Sequence, residues 1–197
     1  MRIISGIYKS RKLLAPKGDI TRPTSDRARE SLFNVLNNLI DFDDISVLDL
    51  FAGSGAFAFE ALSRGAAKAT LVEQNRKVIE TIRENAQALE IGPQIQIVQK
   101  DVYTWLGQFP HSPTIDERRS PIDHIDLIFA DPPYDDPKTL STLPAAIFGS
   151  GLLTAGSLVI AEHRRGSHLG IPENAELFRE LSAGEAVFSF LRQKPKT

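Results

Sequence analysis

The chain predicts an α/β protein built on a doubly wound, mostly parallel sheet. Three observations carry that prediction. Apolar runs of strand length alternate with helical stretches from Ser46 to Glu162, an order that builds a parallel sheet with right-handed crossovers. A glycine-rich turn, Gly53-Ser54-Gly55, joins the first strand to a helix. Four successive strands end in an acid: Asp49, Glu73, Asp101 and Asp131. In open α/β sheets ligands bind at the carboxyl ends of the strands, near the point where strand order reverses.

The elements follow in chain order. Alternation from Arg2 to Leu14 predicts a β-hairpin, and residues 1–21 read as a basic arm appended to one domain spanning 1–197. Thr24 to Ile40 predicts a helix, with Pro23 at its start and Ala28, Leu32, Val35, Leu36 and Leu39 on one apolar face. Ser46 to Phe51 predicts a buried strand. Gly53 and Gly55 then let the backbone turn sharply and approach a ligand, since no Cβ intervenes. Ala56 to Arg64 is the next helix, stopped by Gly65. Lys68 to Gln74 predicts the second strand. Asn75 to Ile91 is a helix with Val78, Ile82, Ala86 and Leu89 inward, stopped by Gly92-Pro93. Ile95 to Lys100 is the third strand. Phe109 to His124 holds Pro110, Pro113 and Pro121 and reads as a loop. Ile125 to Ala130 is a fully apolar-flanked buried strand. Pro144 interrupts the stretch Lys138 to Phe148. Gly156 to Glu162 is a fifth strand. His163 and His168 flank Arg164-Arg165-Gly166 and read as surface residues of a loop. Ala175 to Ser182 and Glu185 to Leu191 form a closing antiparallel pair.

The chemistry is concentrated at the strand ends. Asp131-Pro132-Pro133-Tyr134 leaves the sheet as a rigid loop, because the prolines fix φ and lack N–H groups. A carboxylate, a free proline carbonyl and an aromatic face suit a base carrying an exocyclic NH₂. The structural alternative is a helix cap at Asp131 and rim packing by Tyr134. The glycine turn lacks the Gly-Lys-Ser/Thr of a triphosphate loop, and Phe57-Ala58 replace the third glycine of a dinucleotide fingerprint. Asp49 suits a ligand with a cationic amine better than a pyrophosphate. Glu73 lies about 20 residues beyond the turn, where a carboxylate accepts from ribose hydroxyls. Asp101 is placed to accept from an adenine amino group.

With these residues in view, the chain resembles the class I S-adenosylmethionine-dependent methyltransferases. Asp49 to Gly55 is similar to their first motif, Glu73 to the second, Asp101 to the third, and Asp131-Pro132-Pro133-Tyr134 to the fourth motif of the amino-methylating branch. Arg22 to Phe33 and Arg2 to Leu13 resemble the bacterial 16S rRNA guanine-N2 methyltransferases of the guanine-966 type, with Ser5 and Ser10 standing where that pattern has glycines. The resemblance implies a seven-stranded sheet of order 3-2-1-4-5-7-6 with the last strand antiparallel. It implies S-adenosylmethionine as cofactor, held by Thr24, Asp49, Phe51, Ala52, Gly53, Ser54, Gly55, Glu73, Gln74, Asp101 and Val102. Catalysis falls to Asp131, Pro132, Pro133 and Tyr134. The implied partner is 16S rRNA in an assembling or assembled 30S subunit, in the cytoplasm.

Composition bounds the alternatives. The 197 residues include no cysteine, which excludes disulfides and thiolate chemistry, and no histidine cluster has metal-ligand spacing. No apolar run is long enough to cross a membrane. The net charge of −2 conceals an uneven distribution. Residues 1–29 hold eight basic side chains against Asp19 and Asp26, a +6 segment on an acidic body. Arg2, Lys9, Arg11, Lys12, Arg22, Arg27 and Arg29 are therefore candidate RNA-binding residues, with Tyr8 either stacking on a base or packing in the core. Since the strand-end acids all lie beyond residue 45, the cofactor pocket is expected to stand without residues 1–21. Two other readings compete: a DNA adenine-N6 methyltransferase, which normally needs an added target-reading domain, and a non-catalytic nucleotide-binding Rossmann module.

Overall fold

The computed structural model describes residues 1–16, 25–109, 124–133 and 137–195. Thr24, Arg22, Tyr134 and all but the two ends of the expected loop 109–124 lie outside the described residues. Seven strands form one sheet: β1 (Ser46–Leu50), β2 (Lys68–Glu73), β3 (Ile95–Gln99), β4 (Ile125–Ala130), β5 (Leu153–Arg164), β6 (Ala175–Ala183) and β7 (Ala186–Gln193). Their order is β3-β2-β1-β4-β5-β7-β6. The pairs from β3 through β5 are parallel, and β7 runs antiparallel to both β5 and β6. Strand order reverses between β1 and β4, where β1 has β2 on one side and β4 on the other.

Period-two alternation sorts side chains to two apolar layers. Val47, Leu127, Phe129, Leu158 and Ile160 face one core with α1 (Asp26–Leu36), α2 (Ala56–Ser63) and α3 (Arg76–Leu89). Leu48, Leu50, Ile128, Ala130, Val159 and Ala161 face the other, with α4 (Val102–Leu106) and α5 (Pro137–Gly149). The expected inward face of α3 is as read: Val78, Ile82, Ala86 and Leu89 are buried. The first helix is shorter than expected. Ser25 caps it through Ala28 N–H, and it ends at Leu36, so Leu39 falls in the following turn and is exposed. Phe33 takes its place in the core.

Helix α5 passes through Pro144 instead of breaking there. A proline leaves the carbonyl four residues earlier without its helical donor. Here that carbonyl belongs to Leu140, and the Gly170 N–H donates to it at 3.1 Å. A Cβ on Gly170 would stand 2.1 Å from the Ser141 carbonyl oxygen, so only glycine allows the approach. His163 is also not a loop residue. It sits buried on β5 with Nε2 2.9 Å from Ser189 Oγ on β7, whose hydroxyl also lies 3.1 Å from Glu180 on β6.

The N-terminal segment folds back antiparallel, but pairs at one bridge, Arg2 with Lys12, instead of along a ladder. Its stability comes from α2. The fully buried Glu60 carboxylate accepts from the N–H groups of Ile4 and Ser5 at 2.7 and 3.0 Å, and from the Arg64 guanidinium at 2.9 Å. Ser63 accepts from Ile7 N–H through its carbonyl and from Tyr8 N–H through its hydroxyl. Ile3 and Leu13 are buried and Tyr8 packs against the core. Ser10, one of the two serines in place of glycine, keeps a left-handed φ of 68°.

Gly6 is the pivot of this docking. Its φ is +82°, and a Cβ would fall 1.7 Å from the Ser63 carbonyl oxygen. Gly6→Ala is expected to destabilise the fold by about 2–4 kcal/mol, from the left-handed backbone and the lost Ile7 bond. Urea unfolding reads the magnitude. Hydrogen exchange reads the place, with the Ile4, Ser5 and Ile7 amides losing protection first; uniform loss across the sheet would mean that the segment is not docked this way.

Candidate active site at the carboxyl edge of the sheet

The turn after β1 is conformationally unusual. Phe51 and Gly53 have φ of 59° and 53°, and Gly55 caps α2 with φ of 77°. The two glycines differ in role. A Cβ on Gly53 would meet only the Phe51 carbonyl, at 3.8 Å, so its bareness keeps the cavity side open. One on Gly55 would fall 2.7 Å from the Phe59 ring, so that glycine serves packing and not ligand approach. Gly55 supplies no side-chain cap to α2. Asp49 does so from the strand, accepting from Ala58 N–H at 3.2 Å.

Asp49 follows Val47 in alternation, and Asp131 follows Phe129 beyond the end of β4, so both carboxylates project to the α1–α2 side of the sheet. They line one pocket with Phe51, Ala52, Gly53, Ser54, Phe57 and Phe129. Phe57 stacks on Phe129 with ring centroids 4.1 Å apart and forms an apolar wall between the two acids. Asp131 is tied to the strand end by its N–H, 3.4 Å from the Leu50 carbonyl; Pro132 is buried and Pro133 exposed. Burial pushes the Asp131 carboxyl well above the ordinary carboxylate range, and Glu162 and Asp49 add like-charge repulsion. Burial likewise pushes Asp49 up; the Ala58 bond opposes this, and Glu73 adds to it.

Glu162 is a site residue that the strand-end pattern could have given and did not. Ala130 pairs with Ala161, so Asp131 and Glu162 follow side by side on neighbouring strands. Glu162 is 1% exposed. A fifth strand thus also places an acid at this edge; read from the sequence, that strand ends at Glu162, which the four strand-end acids leave out, and β5 in fact runs on to Arg164.

The other expected residues divide. Glu73 accepts from Gly53 N–H at 3.2 Å and Asn75 N–H at 2.8 Å, which ties the glycine turn to the end of β2. A carboxylate offers about four lone-pair directions, so acceptor capacity remains for hydroxyls. Gln74 is exposed and Val102 buried. Asp101 caps α4, with Oδ1 accepting from the N–H and hydroxyl of Thr104. It lies at the end of β3, away from the residues lining the Asp49–Asp131 pocket.

Two expectations about the basic arm need correction. The pocket is not independent of residues 1–21: Met1 and Pro16 line it, and Met1 contacts Ser54 through its sulfur. Asn85 on α3 bonds both the Leu14 backbone and the Ser54 carbonyl, locking the segment to the glycine turn. Arg29 does not belong to the outer basic surface. It is 3% exposed, and its Nη2 donates to the Arg2 carbonyl and to Asp26. Arg2, Lys9, Arg11, Lys12 and Arg27 do remain exposed, with Arg11 donating to the Ala88 carbonyl. Among the described residues no cluster of acids or histidines is arranged as a metal site, and no helix is long and apolar enough to cross a membrane.

Known proteins share this arrangement. Ribosomal RNA small subunit methyltransferase D of Escherichia coli K12 is 34% identical over 197 residues, covering 98% of this chain and 90% of its own. The solved structure of the Escherichia coli protein yhhF matches with a TM-score of 0.80 and 32% identity, covering 100% of this chain and 99% of that one. At the level of fold alone, SMU.776, solved in complex with SAH, matches at 18% identity and TM-score 0.62, over 81% of this chain and 48% of that one. The resemblance read from the strand-end motifs therefore holds, and a match to the family model described as conserved hypothetical protein 95 across residues 1–192 shows that the chain belongs to that family.

Proposed function

We propose that the chain methylates the exocyclic N2 of a guanine in 16S rRNA, presented by an assembling or assembled small subunit in the cytoplasm. At the coarser level, it is an S-adenosylmethionine-dependent rRNA methyltransferase, in keeping with its family and its class I fold. The observation that supports the finer reading is that Asp131 lines the same pocket as Asp49 and is followed directly by the buried Pro132.

The residues fit the donor. Asp49 is a buried acid whose hydrogen bond among the described residues comes from the Ala58 N–H and not from a cation, which suits an ammonium group. Glu73 at the end of β2 is placed for ribose hydroxyls. Gln74 follows Glu73 at the end of β2, and Asp101 and Val102 follow the end of β3, where an adenine would lie; Phe51 to Ser54 of the glycine turn line the donor side, and Thr24 is the further residue that the family resemblance assigns to the donor. S-adenosylmethionine, when bound, supplies an electrophilic methyl group.

The acceptor side is the work of Asp131. An aromatic amine is a poor nucleophile because its lone pair is delocalised into the ring. To attack, its nitrogen must become tetrahedral and positive. The Asp131 carboxylate and the Pro132 carbonyl accept its two N–H groups and favour that charge as it develops. Tyr134 stacks on the base and holds it in line. The Glu162 carboxylate adds negative potential beside the same nitrogen. A paired base cannot reach this edge, so the target is unpaired or flipped. The exposed Arg2, Lys9, Arg11, Lys12 and Arg27, with Arg22, hold the RNA backbone.

Asp131→Ala is expected to lower methyl transfer to small-subunit RNA about a hundredfold, roughly 3 kcal/mol, while donor affinity stays within a few-fold. Transfer from labelled donor followed by nucleoside identification checks both the rate and the position. Near wild-type turnover would remove Asp131 from the reacting amine, and a product other than N2-methylguanine would overturn the substrate.

The raised carboxyl of Asp131 has a stability consequence. A group whose folded pKa exceeds its unfolded value contributes stability fully below the unfolded value, here 3.8, and loses it as pH rises through the folded one. Asp131→Asn should therefore match the wild type in thermal stability near pH 4 and exceed it increasingly toward pH 8. Melting curves that stay parallel across that range would show that the carboxylate is not destabilised by its surroundings.

Replacing Lys9, Arg11 and Lys12 together with Ala should weaken RNA binding and flatten log affinity against log salt by about two to three units, from roughly 0.7–0.9 per lost phosphate contact. Donor binding should be unchanged, since these side chains point away from the pocket. An unaltered slope places the RNA elsewhere, with Arg164 and Arg165 the next exposed cations.

A further inference from the structure

Arg29 is a buried cation in the pocket wall whose Nε–H has no hydrogen-bond partner among the described residues. Its Nη2 is used: it donates to the Arg2 carbonyl and to Asp26 Oδ1. These two bonds explain why a guanidinium at 3% exposure is tolerated, but not why Nε is left bare. A buried charged donor without an acceptor is costly, so a guanidinium with such an orphan in a native pocket calls for negative charge brought from outside.

The pocket lining says which acceptor. Its ionisable side chains among the described residues are Asp49, Asp131 and Arg29, and Met1 brings the terminal amino group to the same lining. A ligand with a second anion in place of an amine would leave Asp49 facing a like charge. A purely cationic ligand would leave Arg29 unsatisfied. An α-amino acid end satisfies both, with an ammonium for the Asp49 side and a carboxylate for Arg29. Arg29 lines the pocket from α1, whereas Asp49 and Asp131 line it from the ends of β1 and β4, so the two charges of a zwitterion meet different elements. Resting on the reading that this pocket takes S-adenosylmethionine, we infer that Arg29 binds the carboxylate of the donor's methionine end with its guanidinium. The guanidinium is held in place by the Arg2 carbonyl, which makes the N-terminal segment a support for donor binding.

Calorimetry with two nucleosides separates this role from a structural one. S-adenosylhomocysteine carries the amino acid end; 5′-methylthioadenosine has the adenosine and the sulfur but no amino acid. Arg29→Gln and Arg29→Lys should weaken S-adenosylhomocysteine about ten- to a hundredfold, the range for a charge-assisted bond. Their affinity for 5′-methylthioadenosine should stay within about twofold. Equal losses for both ligands, or an unchanged affinity for S-adenosylhomocysteine, overturn the inference. If neither variant folds, the carboxamide of S-adenosylhomocysteine tested on the wild type reads the same contact: a tenfold or greater loss is expected, and no loss overturns it. Failure of the wild type to bind S-adenosylhomocysteine at all is a different result, and overturns the donor reading on which this one rests.

Discussion

The contact between the Asp49 carboxylate and the Ala58 N–H fixes more of this molecule than its 3.2 Å length implies. Helix α2 begins on a left-handed glycine that cannot cap it, so a side chain from the sheet does. That sets the position of α2 over the end of β1. From α2 come Glu60 and Ser63, which hold the backbone of residues 4–8. The held segment then brings Met1 to the pocket and the Arg2 carbonyl to Arg29. One buried carboxylate thus orders a helix, a terminal segment and two walls of the site. The same carboxylate lines the pocket, so the group that organises the fold also belongs to the wall of the candidate site.

The site is built against its own stability. Asp49 and Asp131 stand at the ends of β1 and β4 with carboxyls pushed up by burial and by like charge, from Glu73 at Asp49 and from Glu162 and Asp49 at Asp131. Folding with these groups ionised is unfavourable, and a cation in the pocket relieves it. The strain is therefore largest in the free protein and smallest when positive charge lies between the acids. Differential stabilisation of that kind is what favours a nitrogen that becomes positive during reaction. Phe57 and Phe129, stacked on each other, give the same pocket an apolar lining, which lowers the local dielectric and strengthens such interactions.

Much of this was legible in the sequence because it depends on local pattern. Strand runs, the glycine turn and four of the five strand-end acids follow from periodicity and spacing. The sheet order came from family resemblance, not from periodicity, since hydrophobic pattern does not say which strand neighbours which. What escaped depended on contacts distant in sequence. Pro144 stays inside a helix only because Gly170, 26 positions later, supplies the missing donor. His163 belongs to a strand because Ser189 across the sheet satisfies its ring. Helix α4 is five residues long, too short for a periodic signal, though Asp101 before Val102, Trp105 and Leu106 marks its cap and apolar side.

Arg29 shows the limit most clearly. By charge alone it belongs with the basic arm, as one of eight cations in residues 1–29. By position on α1 it lies beside Ala28 and one turn before Leu32 and Phe33, all buried, so it turns inward where Arg27 turns out. The +6 count therefore mixes two functions. Outward cations can be removed without touching the pocket, whereas removing the segment takes away Met1, Pro16 and the Arg2 carbonyl together. A deletion of the arm consequently does not separate RNA contact from cofactor binding in this fold. Only substitutions on its outer face do, because Met1 and Pro16 of the same segment line the pocket.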